Sequence, residues 1–157
     1  MKLAEALLIR SDQQKKISSL KQRINNNVLV QEGNEPSEDP HQLLIELFNL
    51  ISEQQKLIYK INLTNANTMV EHNTSLLELI MQRDAAVERH KVLMSTIEHA
   101  HREPDRYSSR EIKWNKTVIV SKLQKQGDDI ASKIRDLNIH IQATNWNIEL
   151  INDIKEA

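Results

Sequence analysis

The residues best suited to chemistry cluster in one stretch, RYSSREIKWNK, residues 106–116. Arg106, Tyr107, Arg110, Lys113 and Trp114 combine cationic side chains with an indole. That set is suited to gripping phosphate oxygens while a base stacks on the ring, so a nucleic acid or a phosphorylated ligand is one candidate partner. A plainer reading competes with it. Residues 102–125 hold seven basic and three acidic side chains, whereas residues 31–53 hold six acidic and none basic. A charge match within the chain or between subunits, with Trp114 covering the end of a helical core, uses the same residues, and the sequence favours it.

Catalytic and metal chemistry finds less material. A di-iron bundle needs two Glu-x-x-His pairs plus further inward glutamates. Glu98 with His101 is one such pair; His90 and His140 have no carboxylate at that spacing, although Asp136 lies four residues before His140. Ser108 and Ser109 are nucleophiles by type, but no His–Asp arrangement accompanies them. Gly33 and Gly127 are the only glycines, too few for a phosphate loop or a dinucleotide fingerprint. Cysteine is absent, which removes disulfides and thiolate chemistry. The expectation is a non-enzyme with no catalytic residues, no metal and no cofactor.

These residues must be positioned by a chain of 157 residues with 39% hydrophobic and only 3% aromatic content, so its core is aliphatic. Lys and Arg number 21 and Asp and Glu 22. Net charge therefore argues for no particular polyanion. The N-terminal apolar run is interrupted by Glu5 and Arg10, too short for a leader. No stretch reaches the ~18 apolar residues of a membrane span. The expected setting is bacterial and cytoplasmic.

Apolar spacing of three and four predicts helices over 2–27, 40–67, 75–101 and 121–155. Asp39, Pro40 and Gln42 form a helix start: N-cap, first-turn proline and capping-box glutamine. Ser75 with Glu78 and Ser121 with Gln124 repeat the box spacing. Val28–Val30 is β-favouring, and Ile112, Trp114, Val118 and Val120 alternate with polar residues. The prediction is a mainly α fold: an antiparallel four-helix bundle of long helices, coiled-coil-like, with a small two-stranded β-ribbon at one end. It forms a single domain over 1–157, with ribbon insertions near 28–33 and 108–120. The last helix, at about 50 Å, is expected to overhang neighbours of about 40 Å.

Antiparallel alignment places polar residues at shared levels. Arg10, Asp12, Gln14, Arg83 and Asp84 form a predicted layer, with crossed pairs Arg10–Asp84 and Arg83–Asp12. It either sets helix register, as one buried polar residue does in coiled coils, or binds an anion. Asn62, Asn65, Asn145 and Trp146 form a predicted cluster at the helix ends. The apolar face of the 43–61 helix, widened by Phe48, exceeds what one bundle core needs, which predicts a homo-oligomer through that face.

The segments MKLAEALLIRSDQQKKI, VQEGNEPSEDP, INLTNANT, QRD, RYSSREIKW and IQATNW occur in this order. In combination they resemble a family of small all-helical bacterial proteins labelled septicolysin and of unknown function. The resemblance spans nearly the whole chain. It implies an all-helical fold and, through the label, a cytolysin. The matched polar positions are Arg10, Asp12, Asn62, Thr64, Asn65, Arg83, Asp84, Arg106, Tyr107, Ser108, Glu111, Gln142, Asn145 and Trp146. Ile119 stands where the family pattern often has an acid, and no catalytic assignment carries over. The leading expectation is a non-enzymatic, self-associating bundle acting through assembly or partner binding. Nucleic-acid or phosphoryl binding comes second. Cytolysis comes last, because an apolar insertion segment is missing.

Overall fold

A computed structural model describes residues 1–70, 73–101 and 114–151. Four helices account for most of them: α1 (Leu3–Asn27), α2 (Pro40–Asn67), α3 (Leu76–His101) and α4 (Val120–Asn147). The chain divides into two compact units, Met1–Leu77 with Gln142–Ala157, and Glu78–Ile141.

In the first unit α1 and α2 form an antiparallel pair. Ile17, Leu20 and Ile24 from α1 interlock with Leu43, Leu47 and Leu50 from α2 in one cluster. Polar contacts fix the direction: Arg23 meets Glu38, Lys16 meets Glu46 at 2.9 Å, and Gln14 meets Gln54 at 3.3 Å. Positions fall along α1 as they rise along α2. Asp39 caps α2 as its spacing predicts, its carboxylate accepting from the His41 N–H at 2.9 Å before Pro40 opens the helix.

The β-ribbon is not there. Among the described residues there are only two isolated bridges, Lys2 with Glu149 and Met69 with Ser75, and no strand. The Val28 N–H is already used by the Ile24 carbonyl, 3.1 Å away, as the last bond of α1. Leu29 then stands 87% exposed. A β-prone triplet with no ladder to join and no surface to cover has nothing to stabilise it as a strand. On the other side, residues 114–119 are irregular and lead directly into α4. Residues 108–113 of the expected ribbon lie outside the described residues.

The last helix is also shorter than expected. It ends at Asn147, not near 155. The following segment instead runs beside the start of α1: the Leu3 N–H donates to the Ile148 carbonyl and the Leu150 N–H to the Met1 carbonyl, both at 2.9 Å. These bonds satisfy an amide that a helix start leaves open. Leu150 is buried as a result, and Glu149 lies 2.8 Å from the Met1 ammonium and 3.0 Å from Lys2 Nζ.

In the second unit α3 and α4 are antiparallel, since Arg83 reaches Asn138 and Met94 lies against Gly127. A Cβ on Gly127 would stand 2.5 Å from the Met94 methyl, the free end of a flexible, partly exposed side chain. That methyl can swing aside, while a helix-interior glycine costs about 0.5–1 kcal/mol relative to alanine. Gly127→Ala is therefore expected to stabilise the protein by about that amount in urea unfolding.

Candidate functional site

The helix pair of the first unit presents two features that packing alone does not require: a polar layer inside the seam, and an apolar row outside it.

The layer centres on Gln54, which is buried. Its Nε2 donates to Gln14 Oε1 at 3.3 Å and to the Arg10 carbonyl at 3.4 Å. Gln13 Oε1 is buried nearby in sequence without a hydrogen-bond partner. Of the predicted layer residues, Gln14 is thus brought to Gln54, and Arg10 contributes its backbone while its side chain is exposed. Asp12 is exposed and pairs with Lys15 at 3.3 Å. In the second unit Arg83 Nε lies 2.7 Å from Asp84, and its Nη1 donates to Asn138 at 3.2 Å. Asp12 and Arg83 are thus each met by a neighbour on their own helix.

Of the predicted helix-end cluster, Asn65 and Asn145 are buried, whereas Asn62 and Trp146 are exposed. Asn145 Oδ1 has no hydrogen-bond partner. Thr64 is buried more deeply than Asn65 or Asn145; its hydroxyl donates to the Lys60 carbonyl at 2.8 Å and accepts from the Ile151 N–H at 3.1 Å. Trp114, in the second unit, is 76% exposed; Arg106, Tyr107, Arg110 and Lys113 lie outside the described residues. Among the described residues no three His, Asp or Glu side chains converge on a common point. Glu98 is exposed, and His101 Nδ1 lies 2.8 Å from the Ile97 carbonyl.

The outer face of α2 carries Ile45, Phe48 and Tyr59, 54%, 61% and 52% exposed. With Ser52 and Gln55 between them they follow a 3–4 spacing, so all five share one face. The opposite face, Leu43, Leu47, Leu50 and Gln54, is the one buried. A surface hollow of about 570 Å³ adjoins the start of this row, lined by Asp39, Gln42, Ile45, Glu46 and Asn49 among others. The second unit has a separate groove of about 490 Å³, with Ala85, Val92, Leu93 and Ile130 in its lining.

Sequence reasoning missed Asn27. Buried at the end of α1, it donates from Nδ2 to the Arg23 carbonyl at 2.9 Å. Its Oδ1 accepts from the Ser37 hydroxyl at 2.9 Å and from the Glu38 N–H at 3.1 Å. One amide therefore closes the α1–α2 connection. The available signal was an asparagine at a helix end, a residue type that bonds readily to nearby backbone.

Charge reinforces the same joint. Two guanidinium hydrogen bonds from Arg23 hold Glu38 below the usual carboxylate range, and the bond raises Arg23 in turn. The Lys16 ammonium does the same for Glu46. Glu149 is lowered by the Met1 ammonium first and Lys2 second.

With this geometry in place, comparison with known proteins adds the following. The sequence model of a family of unknown function, DUF6847, matches residues 10–150, and the chain belongs to that family. A crystal structure of a functionally unknown conserved protein from Corynebacterium diphtheriae is similar at 34% identity. The match covers 96% of this chain and 99% of that one, with a TM-score of 0.88. No curated protein matches. Neither match carries the septicolysin label, so that part of the resemblance is unsupported. Among the described residues, no helix is long and apolar enough to cross a membrane.

Two outcomes follow. Asn27→Ala removes the acceptor of the Ser37 hydroxyl and of the part-buried Glu38 N–H, and is expected to cost about 1 kcal/mol in urea unfolding. For pH, a carboxylate with a lowered folded-state pKa stabilises fully above its unfolded value, about 4.3 for Glu, and loses that contribution as pH falls through the folded value. The melting temperature should therefore fall on acidification below about pH 5. In Glu38→Gln/Glu46→Gln the fall should be shallower, as thermal scans at stepped pH would show.

Proposed function

We propose that this protein is a non-enzymatic assembly module that self-associates through the outer face of α2. The supporting observation is the row Ile45, Phe48 and Tyr59, all more than half exposed on a helix whose opposite face is already packed against α1. Single exposed apolar side chains are ordinary on any protein. An aligned row with aromatic members is the composition of a contact surface, because aromatic residues bring large buried area at low entropic cost. Phe48 is the residue that the sequence marks as widening the 43–61 face; Ile45 and Tyr59 add to it on the outer side. Half-buried Leu44, Ile51 and Ile58 flank it and would extend the apolar strip.

Binding of a phosphorylated ligand or nucleic acid ranks second. It draws on the exposed Trp114 and the basic composition around it. Assembly has the stronger support because its residues are placed together on one element.

Multi-angle light scattering of the purified chain at tens of micromolar is expected to give a mass above the monomer. Phe48→Glu places a charge in the centre of the row. It should weaken association about tenfold or more while leaving the helical circular dichroism unchanged. A wild-type monomer at that concentration would remove the reading.

A further inference from the structure

We propose that α2 pairs with α2 of a second copy, antiparallel, about a two-fold axis passing beside Ser52. This rests on the self-association reading above and adds the register and the symmetry.

Three observations on α2 carry it. The first is the order of side-chain sizes along the outer row: Ile45, Phe48, Ser52, Gln55, Tyr59. Where a two-fold axis crosses a helix pair, a residue meets its own copy. A small side chain there lets two helices approach to the 8–10 Å of close packing. Ser52 is exposed and is the smallest member, at the centre. Ile45 and Tyr59 lie seven residues to either side, about 10 Å along the axis. Antiparallel pairing about Ser52 sets Ile45 against Tyr59 of the mate, and Phe48 against Gln55 and Tyr59.

The second is charge segregation. Before Ser52, α2 and its cap carry the acids Asp39 and Glu46; after it come the bases Lys56 and Lys60, with Glu53 beside the axis. Antiparallel pairing lays the acidic half of each chain along the basic half of the other, twice by symmetry. Parallel pairing would set Glu46 against its own copy at one end and Lys56 and Lys60 against theirs at the other, which repels at both ends. The third is availability. Lys16 meets Glu46 across the α1–α2 seam, but Glu53, Lys56 and Lys60 have no ion pair among the described residues. Glu53 and Lys56 are exposed.

Because the chain has no cysteine, introduced thiols report the register without background. Full-length Ser52→Cys, Ile45→Cys and Tyr59→Cys chains are oxidised mildly, alone and in pairs, and read on non-reducing gels. Ser52→Cys should link to itself. Ile45→Cys and Tyr59→Cys should each stay mostly unlinked alone and form the mixed dimer together. Linked Ile45→Cys homodimers would overturn the antiparallel register while leaving self-association standing. A dimer by light scattering with no link through any of the three would overturn this register and move the interface elsewhere. A monomer by light scattering would remove the underlying reading as well. Salt supplies an independent readout on the unmodified chain. Raising ionic strength from about 0.05 to 0.5 M, which shortens the screening length severalfold, should weaken the dimer. Strengthening would mark repelling, like-charge halves and overturn the proposal.

Discussion

Everything in the first unit depends on the packing of Ile17, Leu20 and Ile24 against Leu43, Leu47 and Leu50. Each of these six is nearly removed from water, and full burial of such side chains contributes about 1.5–3 kcal/mol apiece. The cluster also decides which face of α2 is left over. Once Leu43, Leu47 and Leu50 point at α1, helical geometry sends Ile45, Phe48 and Tyr59 outward. The exposed row is thus a consequence of the seam, not a separate accident of the surface.

The polar contacts around this seam serve alignment more than strength. Arg23 with Glu38 and Lys16 with Glu46 are surface pairs, which typically contribute little. Their geometry still admits one register: sliding α2 by a turn would separate both at once and take Gln54 away from Gln14. Gln54 is the costlier constraint, because a buried amide must find partners or forfeit its hydration. A purely aliphatic seam would tolerate several offsets. This one does not.

Local chemistry made some helix ends legible in the sequence and not others: the Ser121–Gln124 box falls inside α4, which begins at Val120. Asp39 before Pro40 marks the start of α2, and the observed start is Pro40. The end of α1 at Asn27 was likewise visible in the β-favouring triplet and the Gly and Pro turn formers that follow it. The Gln14–Gln54 contact could be anticipated because antiparallel neighbours have a countable register. What failed were features fixed at a distance. Val28–Val30 reads as a strand, yet β-propensity describes a fit to a sheet surface, and none forms among the described residues. The apolar period of α4 continues past Asn147, but backbone bonds from Leu3 and Leu150 take the chain out of the helix. Asn27 was invisible as a hub because two of its three partners, on Ser37 and Glu38, lie across the connection it closes.

Asn27 also changes what the α1–α2 connection is for. With Ser37 and Glu38 held by that amide, and Glu38 held again by Arg23, the helices are joined at residue 27 and residue 38 directly. The run 28–36, including Gly33 in its left-handed conformation at φ 87°, is left as slack between two knots. Ring-closure entropy rises only slowly with added length, so such a run can be lengthened, shortened or made to carry a grafted epitope without disturbing the hairpin. In family members it is the place to look for insertions, and in the laboratory it is the place to hang a reporter.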